Sequence, residues 1–228
     1  AEGLHVRVVY VSSISAVNGT LEPVVQDEST PCTLPLDEPA FVFVRAKLAA
    51  EAVCLEAARA GQPVVIVNPP ETYGPNDTAL ITSRNLINLW KSRPALVSKG
   101  GVLIGYLDDV ARAMILALEK GRPGERYILG GENRTIPDIA RTMFRMLGAR
   151  RRVVEGPRWL AFLFTRVMTA LRIPLPYNPL IVPYAVRYWW FDTSKARREL
   201  GAEFRGLQAA LEPTLAWLRS TGRLEGLS

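Results

Sequence analysis

Short apolar runs alternate along the chain with longer stretches in which apolar positions recur every three or four residues. Val6–Ser12 (VRVVYVS) and Pro63–Pro69 (PVVIVNP) are rich in β-branched residues and lack polar alternation, the pattern of strands buried on both faces of a parallel sheet. ERYILGG at 125–131 reads as a third strand, and residues 102–106 as a shorter one. Between them the period changes. Residues 40–60 read as a helix stopped by Gly61, with Ala46, Ala50, Val53 and Ala57 on one face that would pack closely on a sheet or a partner. Further helices are predicted over 85–90, from about Asp109 with Asp108 or Asp109 as cap, after Pro137 up to Gly148, over 159–172, and over 207–218. Residues 21–39 and the stretch NPPETYGPND at 68–77 read as loops, and RVVEG at 152–156 as a short strand.

Strands alternating with helices of this length predict an α/β fold, a Rossmann-like and mostly parallel sheet with helices on both faces. The pattern breaks beyond about residue 152. A helix with almost no polar face is followed by residues 174–192, rich in proline and aromatics, which read as a cap or lip over the sheet edge. We therefore divide the chain at residue 131, with 132–228 as a smaller carboxyl-terminal substrate lobe and 76–99 contributing to the substrate side.

Composition narrows the function classes. The chain has 228 residues, 48% hydrophobic and 22% charged, with a formal net charge of +6. That balance favours anionic partners without choosing among them. The densest cluster, Arg150–Arg152 flanked by Arg145 and Arg158, reads as a solvated loop and helix end. No zinc finger, aromatic RNA-binding pattern or GxxG clamp accompanies it, so no nucleic-acid partner is expected. One histidine cannot supply a metal cluster, and His5 precedes a strand with no nucleophile elbow, which argues against a catalytic triad. Cys32 and Cys54 read as buried thiols of a reducing compartment. No stretch reads as a signal peptide or a membrane span, so a cytoplasmic location is expected. The chain starts at Ala1, without methionine, and runs straight into a strand, which reads as processing or a fragment.

Ligands of open α/β sheets bind beyond the carboxyl ends of the strands. Ser12 and Ser13 follow the first strand, and Asn68 and the loop through Tyr73 and Gly74 follow the second; Lys47 lies on the helix between them. Together they would set hydroxyl, amide and ammonium groups around one crevice. No G-x-G-x-x-G turn follows the first strand. The nearest decoy, GGVLIG at 100–105, has the wrong spacing and reads as a loop feeding a short strand.

Five segments in order carry a family resemblance: VYVSSISAVNG, FVFVRAKLAAEA, VNPPETYGP, YLDDVARAMILALE and FDTSKARRELG. The chain resembles the carboxyl-terminal two thirds of an extended short-chain dehydrogenase/reductase, of the NAD-dependent epimerase/dehydratase and dihydroflavonol-reductase-like group. The resemblance implies that a glycine-rich turn, the residue that reads the adenosine ribose and the first parallel strands would precede Ala1. It implies a nicotinamide cofactor, NAD or NADP, with the basic charge leaning to NADP. It gives the serine role to Ser13, with Ser12 as competitor, and the lysine role to Lys47. Ser12, Asn68, Pro69 and Pro70 would stand on the cofactor side, and Asn18, Tyr73, Trp159 and Tyr184 on the substrate side. Where the family has its proton-donating tyrosine, this chain has Phe43, which has no proton to give.

Two readings follow from that departure. One is an NAD(P)-dependent oxidoreductase or epimerase with altered proton transfer, inactive as this chain alone, acting on a hydroxyl or carbonyl of a small apolar molecule. The other is a degenerate cofactor-binding or assembly subunit. Trp159, Phe162, Phe164, Tyr184, Trp189 and Trp190 favour an apolar substrate, and few polar groups in that lobe would serve a sugar nucleotide. Further expectations are a homodimer through the helix at 40–60 and peripheral contact of the apolar 159–172 helix with acidic lipid.

Overall fold

The computed structural model describes residues 6–92, 94–172 and 179–224. His5 and part of the proline-rich stretch, 174–178, lie outside the described residues. In chain order the elements begin with β1 (Val8–Val11), β2 (Val25–Gln26), α1 (Val42–Arg59), β3 (Val64–Asn68), β4 (Glu71–Tyr73), α2 (Ser83–Lys91), β5 (Ala95–Ser98) and β6 (Gly101–Tyr106). They continue with α3 (Leu107–Lys120), β7 (Arg126–Ile128), β8 (Glu132–Thr135), α4 (Ile136–Met146), β9 (Val153–Gly156), α5 (Arg158–Ala170), α6 (Val182–Ala185), β10 (Tyr188–Phe191), α7 (Ser194–Leu200) and α8 (Leu207–Ser220).

The Rossmann-like core is the parallel sheet β1-β3-β7. Every residue of β3 is buried, because helices cover both its faces. Val65 and Val67, with Tyr127 of β7, pack on Val110, Ala113 and Ala117 of α3 and on Ala196 and Leu200 of α7. The opposite face, with Ile66, meets α1. β1 departs from the expected buried strand. Val8 and Val11 are each 43% exposed, since β1 pairs with β3 on one edge and no described strand covers the other.

A second sheet, β2-β10-β6-β4 with β8 antiparallel to β6, takes strands from both sides of residue 131. Three of its strands run through segments expected to be loop or lip: β2 within 21–39, β4 within 68–77, and β10 within the aromatic stretch. Each is only two to four residues long, too short for a periodic signal, and each is fixed by pairing with a distant partner. β6 is the glycine decoy in its real role. A Cβ on Gly101 would lie 2.5 Å from Trp190 Nε1 and 2.8 Å from the Arg134 carbonyl, so glycine is what lets β10 and β8 close on it. β5 and β9 form a separate parallel pair.

Helix α3 begins at Leu107, with Tyr106 as its N-cap and no side-chain capping bond, so neither aspartate serves as the expected cap. Asp108 instead accepts from the Tyr106 hydroxyl at 3.0 Å. Asp109 accepts from the Arg205 backbone N–H at 2.8 Å and from its guanidinium at 2.6 Å. The alanine face of α1 is not what packs the helix on the sheet: Ala50 and Ala57 are half-buried. Ala46 is exposed and Val53 is 66% exposed, while the helix seats itself through Val44 and Glu51. Both cysteines are free and half-buried rather than buried. Among the described residues, no helix is long and apolar enough to cross a membrane, and no cluster of histidine, cysteine or carboxylate side chains could hold a metal ion.

Candidate functional site

The crevice forms where β1 and β3 end and α1 passes over them. Ser13 takes an extended backbone (φ −161°, ψ 153°) and caps a single 3-10 turn, Ile14–Ala16. Its hydroxyl accepts from the Ser15 N–H at 3.2 Å and from the Ser15 hydroxyl at 3.0 Å, which leaves the proton of Ser13 free for another acceptor. Ser12 is buried, and its hydroxyl has no partner.

Phe43, Lys47 and Glu51 follow one another at intervals of four, so they form one stripe along α1. The stripe grades from open to closed: Phe43 is 50% exposed, Lys47 half-buried and Glu51 buried. Lys47 Nζ donates to the Val11 carbonyl at 2.9 Å. It lies 5.4 Å from the Tyr10 ring centroid and 5.8 Å from that of Phe43, within cation–π range of both. The phenyl ring of Phe43 is therefore beside the ammonium, at the end of β1.

Asn68, fully buried at the end of β3, ties the two halves together. Its amide nitrogen donates to the Ser13 carbonyl and to Glu51 Oε1, both at 2.8 Å, and its amide oxygen has no partner. Glu51 is also paired with Arg126 of β7. The Pro69 carbonyl accepts from the Ile14 N–H at 3.0 Å, and Pro70 packs close over Gly105. Burial raises the Tyr10 phenol above its ordinary value, helped by Cys54 and Glu51.

The residues assigned to the substrate side are placed differently. Tyr73 is buried in the core with its hydroxyl 2.6 Å from Glu71; burial first, then that carboxylate, raises the phenol well above its ordinary value. Asn18 is buried and spent on loop structure, donating to Gln26 and accepting from Thr33. Tyr184 lies between Phe41 and Trp189, with ring centroids 5.3 Å from each. Trp159 is 64% exposed on α5. The structure thus brings Ser12, Ser13, Phe43, Lys47, Asn68 and Pro69 to one locality; Asn18 and Tyr73 go to structural tasks.

A family model described as the NAD dependent epimerase/dehydratase family matches residues 1–130. The chain belongs to that family. It is 31% identical to a putative dihydroflavonol 4-reductase of Synechocystis over 95% of this chain and 65% of that protein. It is 29% identical to sterol demethylase protein B of Methylococcus capsulatus over 96% of this chain and 68% of that protein. Among solved structures, PA4631, a nucleoside-diphosphate-sugar epimerase from Pseudomonas aeruginosa, superposes with a TM-score of 0.78 at 26% identity, covering 96% of this chain and 68% of its own. The chain spans about two thirds of the length of these relatives.

Four residues around this crevice escaped the sequence reading: Tyr10, Ser15, Glu51 and Arg126. Glu51 left one signal, a carboxylate one helical turn after Lys47 on the side that meets the sheet. Arg126 left none, because its partner is 75 residues away in sequence.

Proposed function

We propose that this chain carries the nicotinamide-facing and substrate-facing part of an NAD(P)-dependent oxidoreductase that acts on a hydroxyl or carbonyl of a small apolar molecule. The observation that supports it most is the Lys47 ammonium at the carboxyl end of β1, beside Phe43, on the helix that Asn68 couples to Ser13. The residues present suit the nicotinamide half of a dinucleotide. Ser12 Oγ and Asn68 Oδ1 are unpartnered polar atoms at the ends of adjacent strands, and Lys47 can exchange a backbone carbonyl for ribose hydroxyls. A nicotinamide, when bound, supplies or accepts the hydride.

The chain's own groups handle position and proton. Ser13, backed by Ser15, has a proton to donate to a substrate oxygen, and Lys47 places positive charge where an alkoxide develops. Phe43, half exposed at the open end of the stripe, lines the slot and contributes no proton. The basic net charge leans to NADP. The exposed face of α1 around Ala46 and Val53 is the surface we assign to a homodimer.

The test is Phe43→Tyr in the native gene product, assayed with NADH and NADPH on a panel of apolar ketones. Restoring a phenol beside Lys47 is expected to raise kcat at least about tenfold, toward the 10²–10⁴ that general acid assistance is worth. No gain, with the cofactor bound at unchanged affinity, refutes the missing-acid reading. Binding of cofactor without turnover in either form supports the second reading, a cofactor-binding subunit, which Phe43 itself favours.

A further inference from the structure

Helix α5 is amphipathic in the wrong sense for a globular surface. Arg158, Ala161, Thr165 and Met168, at intervals of three and four, are the residues half-buried against the body of the protein. On the opposite side Leu160, Leu163, Phe164, Val167 and Leu171 repeat with the same period and point outward, between 44% and 64% exposed. No residue of the helix is buried. A stripe at i, i+3, i+4, i+7 normally faces a core. Here it forms one exposed apolar strip, with Leu180 and Ile181 of the following turn also exposed.

The charges around the strip select its cover. From Gly156 to Phe191 the chain has no aspartate or glutamate and four arginines, Arg158, Arg166, Arg172 and Arg187. Arg158 is tied to Glu22 and the Leu21 carbonyl, and Arg187 lies half-buried over Phe41. Arg166 and Arg172, each next in sequence to a residue of the strip, are exposed. A two-fold contact through this face would bring the arginines of both copies together with no carboxylate from the segment to answer them. An anionic bilayer answers both features at once, with acyl chains for the leucines and phenylalanine and headgroups for the arginines.

We propose that α5 is a peripheral membrane-docking helix that lies in the interface of an anionic lipid bilayer, its outward apolar strip inserted and Arg166 and Arg172 at headgroup level. The helix has 13 residues, so about 20 Å of its length would lie along the surface.

The test is co-sedimentation of the chain with phosphatidylcholine vesicles, with and without about 30% phosphatidylglycerol, at about 0.1 M salt. Partitioning onto the anionic vesicles is expected to exceed that onto neutral ones by at least about tenfold. Leu163→Glu with Val167→Glu is expected to abolish binding with an unchanged far-UV circular dichroism spectrum. Arg166→Gln with Arg172→Gln is expected to weaken it by about fivefold per arginine, as is added salt, and these two arms carry the test if the glutamate variant misfolds. Equal partitioning onto both vesicles, or onto neither, overturns the proposal. So does a dimer, seen by sedimentation equilibrium without vesicle binding, that the glutamate variant dissociates.

Discussion

The coupling of Glu51, Asn68 and Arg126 makes a sharp energetic prediction. The Glu51 side chain is 2% exposed and that of Arg126 20%, so the pair sits at the floor of the crevice with its charge turned from water. Replacing Arg126 by methionine keeps the volume and removes the cation. Glu51 then retains only the Asn68 amide, and a buried carboxylate stripped of its partner costs about 3–5 kcal/mol. For a chain of this size each kcal/mol moves Tm by about 2–4 °C, so Arg126→Met is expected to melt roughly 6–20 °C lower. Adding Glu51→Met removes the orphaned charge and leaves one unsatisfied Asn68 N–H, at about 1–2 kcal/mol. The double variant should therefore be more stable than Arg126→Met alone, recovering half the loss or more. Thermal melts followed by circular dichroism, arranged as a double-mutant cycle, give the coupling directly. A double variant that melts no higher than Arg126→Met would refute the account, since the damage would then come from lost packing and not from a stranded charge.

Two further predictions address the junction of α3 and α8. A Cβ on Gly131 would lie 2.0 Å from the Arg205 carbonyl oxygen, which is backbone and cannot swing away, so Gly131→Ala is expected to cost at least about 1–3 kcal/mol and to lower Tm by several degrees. Burial alone would raise Asp109, but the hydrogen bonds and charge of Arg205 outweigh it and hold the carboxyl below its ordinary 3.8. The stabilisation this gives is present above that ordinary value and lost as pH falls through the depressed one. With Arg205 half exposed the contribution is about 1–2 kcal/mol, so the Tm advantage over Asp109→Asn should be full at pH 6 and shrink from about pH 4 downward. A gap unchanged at pH 2 would contradict it.

The family was legible through its resemblance in five segments, and the parallel core because β3 and α3 announce themselves locally, one as an unbroken β-branched run and the other as an apolar stripe of helical period. The placement of Ser13, Lys47 and Asn68 around one crevice was legible for the same reason, since each stands at the end or on the outside of such an element. β2, β4 and β10 were not. They have too few residues for a period to show, and Trp189 and Trp190 enter a strand only because Gly101 and Val102 lie alongside Tyr188 and Trp189. Tyr73 was misjudged because a loop tyrosine beside glycine and proline looks accessible, whereas pairing of β4 with β6 turns the ring into the core. The alanine face of α1 predicts packing on a sheet or a partner, and the sheet does not take it. The helix rotates instead to bury Glu51, whose partners on β3 and β7 cannot be seen from the helix sequence.

Placement of β10 between β2 and β6 bears on how the molecule is made. During synthesis from the amino end, β2, β4, β6 and β8 have left the ribosome well before Tyr188 does, yet among the described residues β2 pairs only with β10. The nascent chain must therefore hold a sheet divided in two, with the edge of β6 unprotected, while some fifty further residues are added after β8. Closure of that sheet is a late, long-range event, and chaperone dependence should fall abruptly once translation passes Phe191.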